Sequence, residues 1–434
     1  MTDEEKDSVA GSYEALDGNK FSDEMIAKGK PCATQNQVLE PSSAAGIAKS
    51  PDILDLFIGV VRRLGTVGDE SAYKLLYLVL TSRVFDKIAS LFVQGPSGAG
   101  KSFAIDQTIR FFPESAYFFT TGMSEKALAY IEESLEHRII VIAESAGLTG
   151  HWLPYLVRSL ISEGKIEWST VDTNGGRDPL ATRKIRVDGP CGIILTTTEA
   201  RLHPEVETRG FKIQVDDAKA QTRRIIEASA EQAAGTSQKV DVSPVEIEAW
   251  VEFQKQLQGG STDVIVPFAP RLAKLIPDIP VRLRRDFKML LIFIRAHALL
   301  HRENRQKSPE GSIIATLEED YEKVADLLRE PISEAAGTSV PKNVRRVIQG
   351  VEELLKADPK GSIRSLDLAA HLGIDRGSCS RNVNQAIELG YLVNDRARGS
   401  KASELRLGKP IPDIMSILPR ASDLTDSDWR IGTD

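Results

Sequence analysis

Apolar residues recur along this chain in two patterns, one with the period of a helix and one made of short continuous runs. Between residue 53 and about residue 91 they recur at helical spacing, with a break at the polar stretch GTVGDE. From there to about residue 230, apolar runs such as LFV, YFF, IIVI and GIIL alternate with helical segments. Such alternation is typical of buried strands in a parallel sheet. The sequence therefore predicts an α/β fold with a mainly parallel sheet covered by helices on both faces.

The same patterns divide the chain into five parts. Residues 1–50 are polar, lack a sustained period and are predicted to form a disordered tail. The helical lead-in and the α/β core are assigned to residues 51–235, and a helical lid to residues 236–335. After a connector of small residues comes a compact unit at 342–409, and residues 410–434 are predicted to be an acidic tail.

Composition and charge narrow the class of protein. The 434 residues are 41% hydrophobic and 27% charged, as in ordinary globular proteins. A net charge of −7 argues against a uniformly basic coat for nucleic acid, and it leaves local basic patches open. The 3 cysteines are far apart and predict neither a disulfide framework nor a zinc site. The acidic start MTDEEKD and the short apolar run MLLIFI predict a cytoplasmic protein without a membrane segment.

The stretch QGPSGAGKSF carries the strongest chemical motif. Gly95, Gly100, Lys101 and Ser102 form the pattern G-x-x-x-x-G-K-S between an apolar strand and a run that suits a helix. Glycines let successive backbone N–H groups surround a phosphate, the lysine reaches the β- and γ-oxygens, and the hydroxyl ligates magnesium. The alternative, a glycine-rich turn without a ligand, is disfavoured by the strand–loop–helix context. The predicted ATP-binding residues are Gly95, Pro96, Ser97, Gly98, Ala99, Gly100, Lys101, Ser102 and Phe103.

A second stretch, RIIVIAESAG, ends a buried run with a single glutamate, Glu144, followed by Ser145. Phosphate-loop ATPases commonly place two acidic residues here, one for the metal and one for the attacking water. Glu144 either holds Mg²⁺ together with Ser102 while another group orients the water, or it is the base and Ser102 with the phosphates holds the metal. The first arrangement predicts slow turnover. A buried strand that ends by chance in glutamate is the remaining alternative.

The order of parts resembles the AAA+ ATPases of the helicase clade. A hairpin predicted in GKIEWSTVDTNGGRDPLATRKIRVDGP comes directly before the strand GIILTTT. The similar stretches also include LFVQGPSGAGKS, IILTTTEARLHPEVETR and VRLRRDFKMLLIFIRAHALLHRENR, over roughly residues 50–330. The likeness is to the ATPase half of zinc-finger DNA primases and helicase-like proteins of transposons and prophages. The Cys-rich finger and the acidic Toprim-type domain of such primases have no counterpart, so the resemblance implies no priming activity.

The resemblance implies further site residues. Thr198 takes the place of a sensor-one residue that orients the attacking water, and Arg209 that of an arginine finger for the neighbouring subunit's γ-phosphate. Arg284 or Arg285 takes the place of a sensor-two residue at the nucleotide. Arg285 is included among the predicted nucleotide-binding residues. A shared site implies a homo-oligomeric ring such as a hexamer. The alternatives are a surface salt-bridge residue for Arg209 and a solvated helix face for the lid arginines.

In such rings the inserted hairpin contacts DNA phosphates, which carry no sequence information. Arg177 lies at the predicted tip of the hairpin, and Lys184 lies on the return strand. The alternative is a surface hairpin with incidental charge.

The C-terminal unit has the layout of a winged helix-turn-helix. In SIRSLDLAAHLGIDRGSCSRNVNQAIELGYLVNDRARGSKASELRLG a helix, a short turn and a second helix are followed by a strand, a basic loop and a return strand. Spacing on the second helix predicts a face opposite the core that suits base edges and phosphates. The predicted DNA-binding residues of this unit are Ser378, Arg381, Asn382 and Gln385 on that helix and Arg398 in the basic loop.

Charge supports this interpretation. The segment Lys342–Lys409 holds 13 Lys and Arg against 8 Asp and Glu, a net charge of about +5. Duplex DNA is the ligand that this charge favours, and the alternative is a winged helix used for protein contacts.

Together the motifs predict an enzyme that hydrolyses ATP with Mg²⁺ and acts on single- or double-stranded DNA. The role expected is a helicase or replication-initiator-like motor of a mobile element or prophage. An ATP-dependent DNA-binding regulator or helicase loader without unwinding activity is the main alternative. A small-molecule kinase with a phosphate loop is a weaker one, because it leaves the hairpin and the C-terminal unit without a role.

Overall fold

The computed structural model describes residues 43–122, 124, 127–143, 152–171, 182–198, 204–215, 219–235, 242–277, 282–336, 340–358, 363–394, 405–411 and 417–425.

The centre of the chain is a five-stranded sheet. Its strands are β1 (Leu91–Gln94), β2 (Tyr117–Thr120), β3 (Arg138–Ile142), β6 (Cys191–Thr197) and β7 (Phe211–Gln214). Their order in the sheet is β2-β3-β6-β1-β7. Each pairing within it is parallel. Four of the five strands coincide with the apolar runs LFV, YFF, IIVI and GIIL. The predicted α/β class with a mainly parallel sheet is therefore confirmed.

Both faces of the sheet are buried. Leu91 and Val93 pack into one apolar cluster together with the lead-in and lid helices, whereas Phe92 packs into a second cluster with Leu128 and Leu156. Successive side chains of a strand point to opposite faces. The alternation therefore places one helical layer on each side of the sheet, as predicted.

The lead-in begins earlier than predicted. The helices α2 (Ile53–Arg63) and α3 (Glu70–Thr81) match the helical spacing of the sequence. Before them lies α1 (Ala44–Ala48), which buries Ile47 completely. The prediction of a tail up to residue 50 is therefore wrong for residues 43–50, because a helix of one turn is too short to show a period. Residues 1–42 lie outside the described part.

Further elements connect the strands. They are α4 (Lys101–Ile109), α5 (Trp152–Glu163), β4 (Lys165–Val171), β5 (Thr182–Asp188), α6 (Pro204–Glu207) and α7 (Lys219–Ala233). The strands β4 and β5 form the predicted antiparallel hairpin, with Lys165 opposite Asp188 and Val171 opposite Thr182.

The helical lid consists of α8 (Pro244–Gly259), α9 (Ala269–Leu275), α10 (Leu283–Leu300), a π-helical turn (Leu317–Glu322) and α11 (Lys323–Ala335). A two-residue parallel pair, β8 (Val264–Ile265) with β9 (Ile313–Ile314), interrupts the helices and was not predicted. Buried lid residues such as Phe293 share the apolar cluster of the lead-in helices and of one sheet face. The lid and the sheet are therefore joined by one apolar core.

The C-terminal unit has an apolar cluster of its own. It contains α12 (Lys342–Ala357), α13 (Ser365–Leu372), α14 (Arg376–Glu388), β10 (Leu392–Asn394) and β11 (Leu405–Leu407), and the two strands pair antiparallel. Gly373 ends α13 in the left-handed region with a φ of 63°, which explains the glycine at the turn. Cys379 is buried in the cluster, where burial raises the pKa of its thiol, so this cysteine packs in the core.

After the C-terminal unit the chain returns to the lid. Ile417, Leu418 and Leu424 are buried in the lid's apolar cluster. The Tyr321 hydroxyl donates to the Pro419 carbonyl at 2.7 Å. The prediction of an acidic tail from residue 410 onward is therefore wrong for residues 417–425, because a few apolar residues are enough to dock a short segment without any periodic pattern. We call residues 417–425 the return segment.

A buried polar cluster joins the lid to the lead-in. His301 Nδ1 donates to the His297 carbonyl at 3.0 Å, and its Nε2 accepts the Ile53 N–H at 3.2 Å. Asp320 accepts from Arg305 at 2.8 and 2.9 Å and from His297 at 2.7 Å. Although burial raises the pKa of Asp320, the hydrogen bonds from His297 and Arg305 hold it well below its usual range. Both ring nitrogens of His301 are thereby used within the protein, which supports a structural role for His301 rather than metal binding.

This cluster predicts a dependence of stability on pH. Burial and the neighbouring His297 lower the pKa of His301 from 6.5 to about 3. The unfolded chain therefore binds the extra proton between these pH values, and stability falls as the pH drops below 6.5. We expect the free energy of unfolding to decrease by up to about 1.4 kcal/mol per pH unit in denaturant titrations between pH 7.5 and 4.5. The stability that ionised Asp320 contributes is lost only when the pH falls below 3.8, the ordinary pKa of this carboxyl group.

His301→Gln is the matched variant for this measurement. It is expected to be less stable at pH 7.5 and to show a shallower slope than the wild type. An unchanged slope would assign the pH dependence to other groups.

Candidate functional site

The glycine-rich loop, residues 95–100, connects the carboxyl end of β1 to the first residue of α4. Gly98 and Gly100 have φ values of 78° and 84°, in the left-handed region. A residue with a β-carbon adopts such φ values only with steric strain, which explains why these two positions are glycine. The loop leads into the N-terminus of α4, whose first N–H groups have no partner within the helix. Such a terminus favours a bound anion.

Lys101 folds back over this loop. Its Nζ donates to the Gly95 carbonyl at 2.9 Å and to the Pro96 carbonyl at 2.8 Å. The residue is 8% exposed, and a buried ammonium group is stable only when it is well partnered. Phosphate oxygens are stronger acceptors than carbonyls for an ammonium group. The next two residues, Ser102 and Phe103, are exposed on the first turn of α4.

Thr198 lies beside the loop because β6 is the neighbour of β1. The Gly95 N–H donates to the Thr197 carbonyl at 3.2 Å, and Thr198 follows directly. Thr196 and Thr197 are each 2% exposed, and the Thr196 hydroxyl donates to the Ala143 carbonyl. Thr198 is exposed and lines a cleft together with Gly95 and Pro96. Of the three threonines, only Thr198, the predicted sensor-one residue, is exposed next to the glycine-rich loop.

The strand β3, which precedes Glu144 in the sequence, ends at the same edge of the sheet. β3 pairs with β6 in parallel and ends at Ile142, and the Ala143 N–H then donates to the Thr120 carbonyl at 3.0 Å. Glu144 and Ser145 lie outside the described residues, as do Arg177 and Arg398. Their predicted roles stay predictions. Lys184 is described and is exposed on β5.

A cavity of about 630 Å³ lies next to the loop and was not predicted. Its walls include Gly98, Gly100 and Phe103 on one side and Arg63, Tyr73 and Ile225 on the other. Burial raises the pKa of Tyr73 to about 12, and the phenol group that lines the cavity is uncharged at neutral pH. The volume is in the usual range for small-molecule pockets, about 300–1,000 Å³. Because its walls come from α2, α3, α4 and α7, sequence spacing gave no signal for it.

Arg209 and Arg285 lie at the opposite edge of the sheet. They line a separate cleft with Lys87 and Pro190, which precede β1 and β6 and therefore mark the amino ends of the strands. Arg285 therefore does not lie at the glycine-rich loop of its own chain, and its role at a nucleotide stays a prediction. Its Nη1 instead donates to the Thr208 hydroxyl at 2.7 Å, because the N-terminus of α10 packs beside the turn before β7.

Arg209 is half-buried in this second cleft and donates to the Ser162 hydroxyl. Its distance from the glycine-rich loop of its own chain agrees with a role toward a neighbouring subunit, which stays a prediction. Arg284, the other lid arginine considered, is exposed at the start of α10.

The predicted DNA-binding face of α14 is corrected at one position. Ser378 is 2% exposed, and its hydroxyl accepts a hydrogen bond from Arg381 Nη2 at 2.8 Å. Ser378 is therefore not on the open face, because it lies on the side of α14 that also buries Cys379. Arg381 is exposed, and Asn382 and Gln385 are half-buried. These three line the same cleft as Gly95, Pro96 and Thr198, a juxtaposition that no local pattern predicted.

No protein-family model matches the chain, and no curated protein is significantly similar to it. Among the described helices, none combines the length and the apolar character that a bilayer crossing requires.

Proposed function

We propose that this protein is an ATPase of the AAA+ helicase clade that binds DNA through a C-terminal winged helix. The observation that carries the proposal is the meeting of three features at one edge of a parallel sheet. The glycine-rich loop, Lys101 and Thr198 lie together at the carboxyl ends of β1 and β6. Ligands of open α/β sheets bind outside the carboxyl ends of the strands. The adjacent cavity of about 630 Å³ offers room for a nucleoside.

The residues of the loop suit a nucleoside triphosphate and Mg²⁺. The backbone of Gly98 and Gly100 and the ammonium group of Lys101 would hold the phosphates, with Arg63 and Tyr73 beside the nucleoside. Ser102 and Glu144 would hold Mg²⁺, which neutralises charge on the phosphates when bound. Thr198 would position a water molecule at the end of the phosphate chain. Lys101 would exchange its carbonyl partners for phosphate oxygens.

Glu144→Gln tests whether the single acidic residue is needed for hydrolysis. The substitution keeps the size of the side chain and removes its charge, so we expect the turnover number to fall at least about 100-fold while ATP still binds. Phosphate release and ATP titration are measured on the same protein. Ser145→Ala is the neighbouring control and should leave turnover within about twofold, since alanine also lacks a carboxylate. Hydrolysis at the wild-type rate in the glutamine variant would exclude Glu144 from the chemistry.

DNA is the proposed macromolecular partner. The net charge of about +5 in Lys342–Lys409 and the exposed Lys184 of the hairpin support contacts with phosphates. The deciding experiment is ATP hydrolysis by the full chain with and without single-stranded and duplex DNA. Stimulation by DNA is expected for a motor, whereas a rate that DNA leaves unchanged would contradict it. Arg209, on the edge remote from the loop, supports a ring in which subunits share sites.

A regulator or helicase loader without unwinding activity is the second candidate. It is favoured by the position of α14, whose predicted DNA-binding face lies against the glycine-rich loop. A protein that changes its DNA contacts with its nucleotide state needs no translocation. Strand-displacement assays separate the candidates, since DNA-stimulated hydrolysis without displacement on forked, tailed or blunt duplexes would favour the regulator.

A further inference from the structure

The cleft between the glycine-rich loop and the C-terminal unit has two chemically different walls. One wall is formed by Gly95, Pro96 and Thr198, and the other by Arg381, Asn382 and Gln385 of α14. Gln214 of β7 and Asn343 of α12 close one end, with a long contact of 3.5 Å between the two amides. The C-terminal unit therefore stands directly over the start of the loop.

The side chains on the α14 wall are suited to anionic oxygen atoms. Arg381 offers a guanidinium group, held by its hydrogen bond to the Ser378 hydroxyl at 2.8 Å. Asn382 and Gln385 add amide donors, and their side chains make no hydrogen bond to the part of the chain that the structure describes. A guanidinium group binds phosphate more strongly than neutral donors do.

The opposite wall is where the end of a phosphate chain is expected. Gly95 and Pro96 begin the loop, their carbonyls hold the Lys101 ammonium group, and Thr198 directly follows the neighbouring strand. The cleft is open on one side and has a volume of about 40 Å³, the room of roughly three water molecules at about 10–15 Å³ each. A terminal phosphate group fits such a space by displacing the water, whereas a DNA strand does not.

We propose that Arg381 contacts the terminal phosphate of the nucleotide bound to its own chain. The inference rests on the proposed function and adds a residue that comes from outside the ATPase core. The same side chain belongs to the face of α14 that is predicted to bind DNA. ATP and DNA therefore compete for Arg381, and the C-terminal unit has to leave the loop before α14 can enter a groove.

The test compares the affinities of ATP and ADP for the full chain. Because ADP lacks the terminal phosphate, Arg381→Ala is expected to weaken binding of a non-hydrolysable ATP analogue about tenfold and binding of ADP by less than twofold. Arg381→Lys keeps the charge and is expected to recover part of the loss. Arg376→Ala is the matched control, since Arg376 is exposed on the same helix outside the cleft and should leave both affinities unchanged.

The outcomes separate the two proposals. If the wild type binds neither nucleotide, the proposed ATPase function fails and this inference fails with it. If the wild type binds both and Arg381→Ala weakens both equally, or neither, only the inference is overturned. Circular dichroism and thermal melting of each variant exclude misfolding as the cause of a loss.

A second readout follows from the competition. Binding of a fluorescent 30-base-pair duplex at low salt is expected to weaken severalfold when the ATP analogue is added to the wild type, and not when ADP is added. In Arg381→Lys this difference should shrink while duplex binding persists, because the lysine keeps a charge for DNA phosphates. Duplex affinity that is the same in all nucleotide states of the wild type would contradict the competition.

Discussion

Replacement of Lys101 by alanine is expected to lower ATP affinity at least about 100-fold and to abolish hydrolysis. The physical reason is the loss of two charge-assisted hydrogen bonds to phosphate, each worth about 1.5–3 kcal/mol. The Lys101 ammonium group already lies at the start of the loop, where it contacts the Gly95 and Pro96 carbonyls. Titration calorimetry with ATP and Mg²⁺ and an assay for released phosphate measure the two effects.

Lys74→Ala is the matched control for this change. Lys74 is paired with Asp55 on the lead-in helices and does not line the cavity beside the loop. The control should bind and hydrolyse ATP at the wild-type level. Retention of more than about a tenth of wild-type affinity by Lys101→Ala would contradict a phosphate site at the loop, because one lost charge-assisted bond already exceeds tenfold.

Replacement of Arg209 by alanine is expected to abolish hydrolysis while ATP affinity stays within about threefold of wild type. Arg209 lies at the amino ends of the strands, remote from the loop of its own chain. An arginine finger supplied by a neighbouring subunit raises the turnover number about 10³–10⁵-fold. Arg223→Ala is the control, because this arginine is exposed on α7 and paired with Glu227.

Mixing two inactive variants tests the shared site directly. A subunit with Lys101→Ala still carries Arg209, and a subunit with Arg209→Ala still carries an intact loop. In a mixed ring, Arg209 of a Lys101→Ala subunit can complete the ATP site of an Arg209→Ala subunit. A mixture is therefore expected to regain part of the wild-type activity. A mixture that stays inactive, although size-exclusion chromatography shows mixed oligomers, would oppose a role for Arg209 in trans.

The local sequence patterns predicted the helices and strands better than they predicted which side chains contact each other. The strands of the sheet follow from short apolar runs, and the loop conformation follows from glycines that tolerate a positive φ. Ser378 shows where the helical pattern fails. Its spacing places it beside Arg381, which it contacts, but Ser378 is 2% exposed and lies with Cys379 among the buried residues of α14.

The candidate site was predicted where residues close in sequence form it and missed where distant elements meet. Gly95, Lys101 and Ser102 belong to one continuous stretch, so their spacing alone indicated a phosphate site. Arg381 lies far along the chain from that stretch, and its place in the cleft depends on how the C-terminal unit packs. The position of Arg285 away from that stretch was missed for the same reason, because the direction of α10 decides which edge of the sheet its first residues reach.

The return segment has a mechanical consequence for the C-terminal unit. This unit leaves the lid after Ala336 and rejoins it at Ile417, whose side chain is buried in the lid's cluster. Four peptide steps lead from Ala336 to Val340, and six lead from Ile411 to Ile417. At about 3.3–3.6 Å per residue these connections extend to roughly 14 and 21 Å at most. The unit is therefore attached to the lid at both ends, and the lengths of the two connections limit how far it can move from the lid. A partner held on α14 would stay at high effective concentration beside the loop, and each release of the unit would return it to the same place.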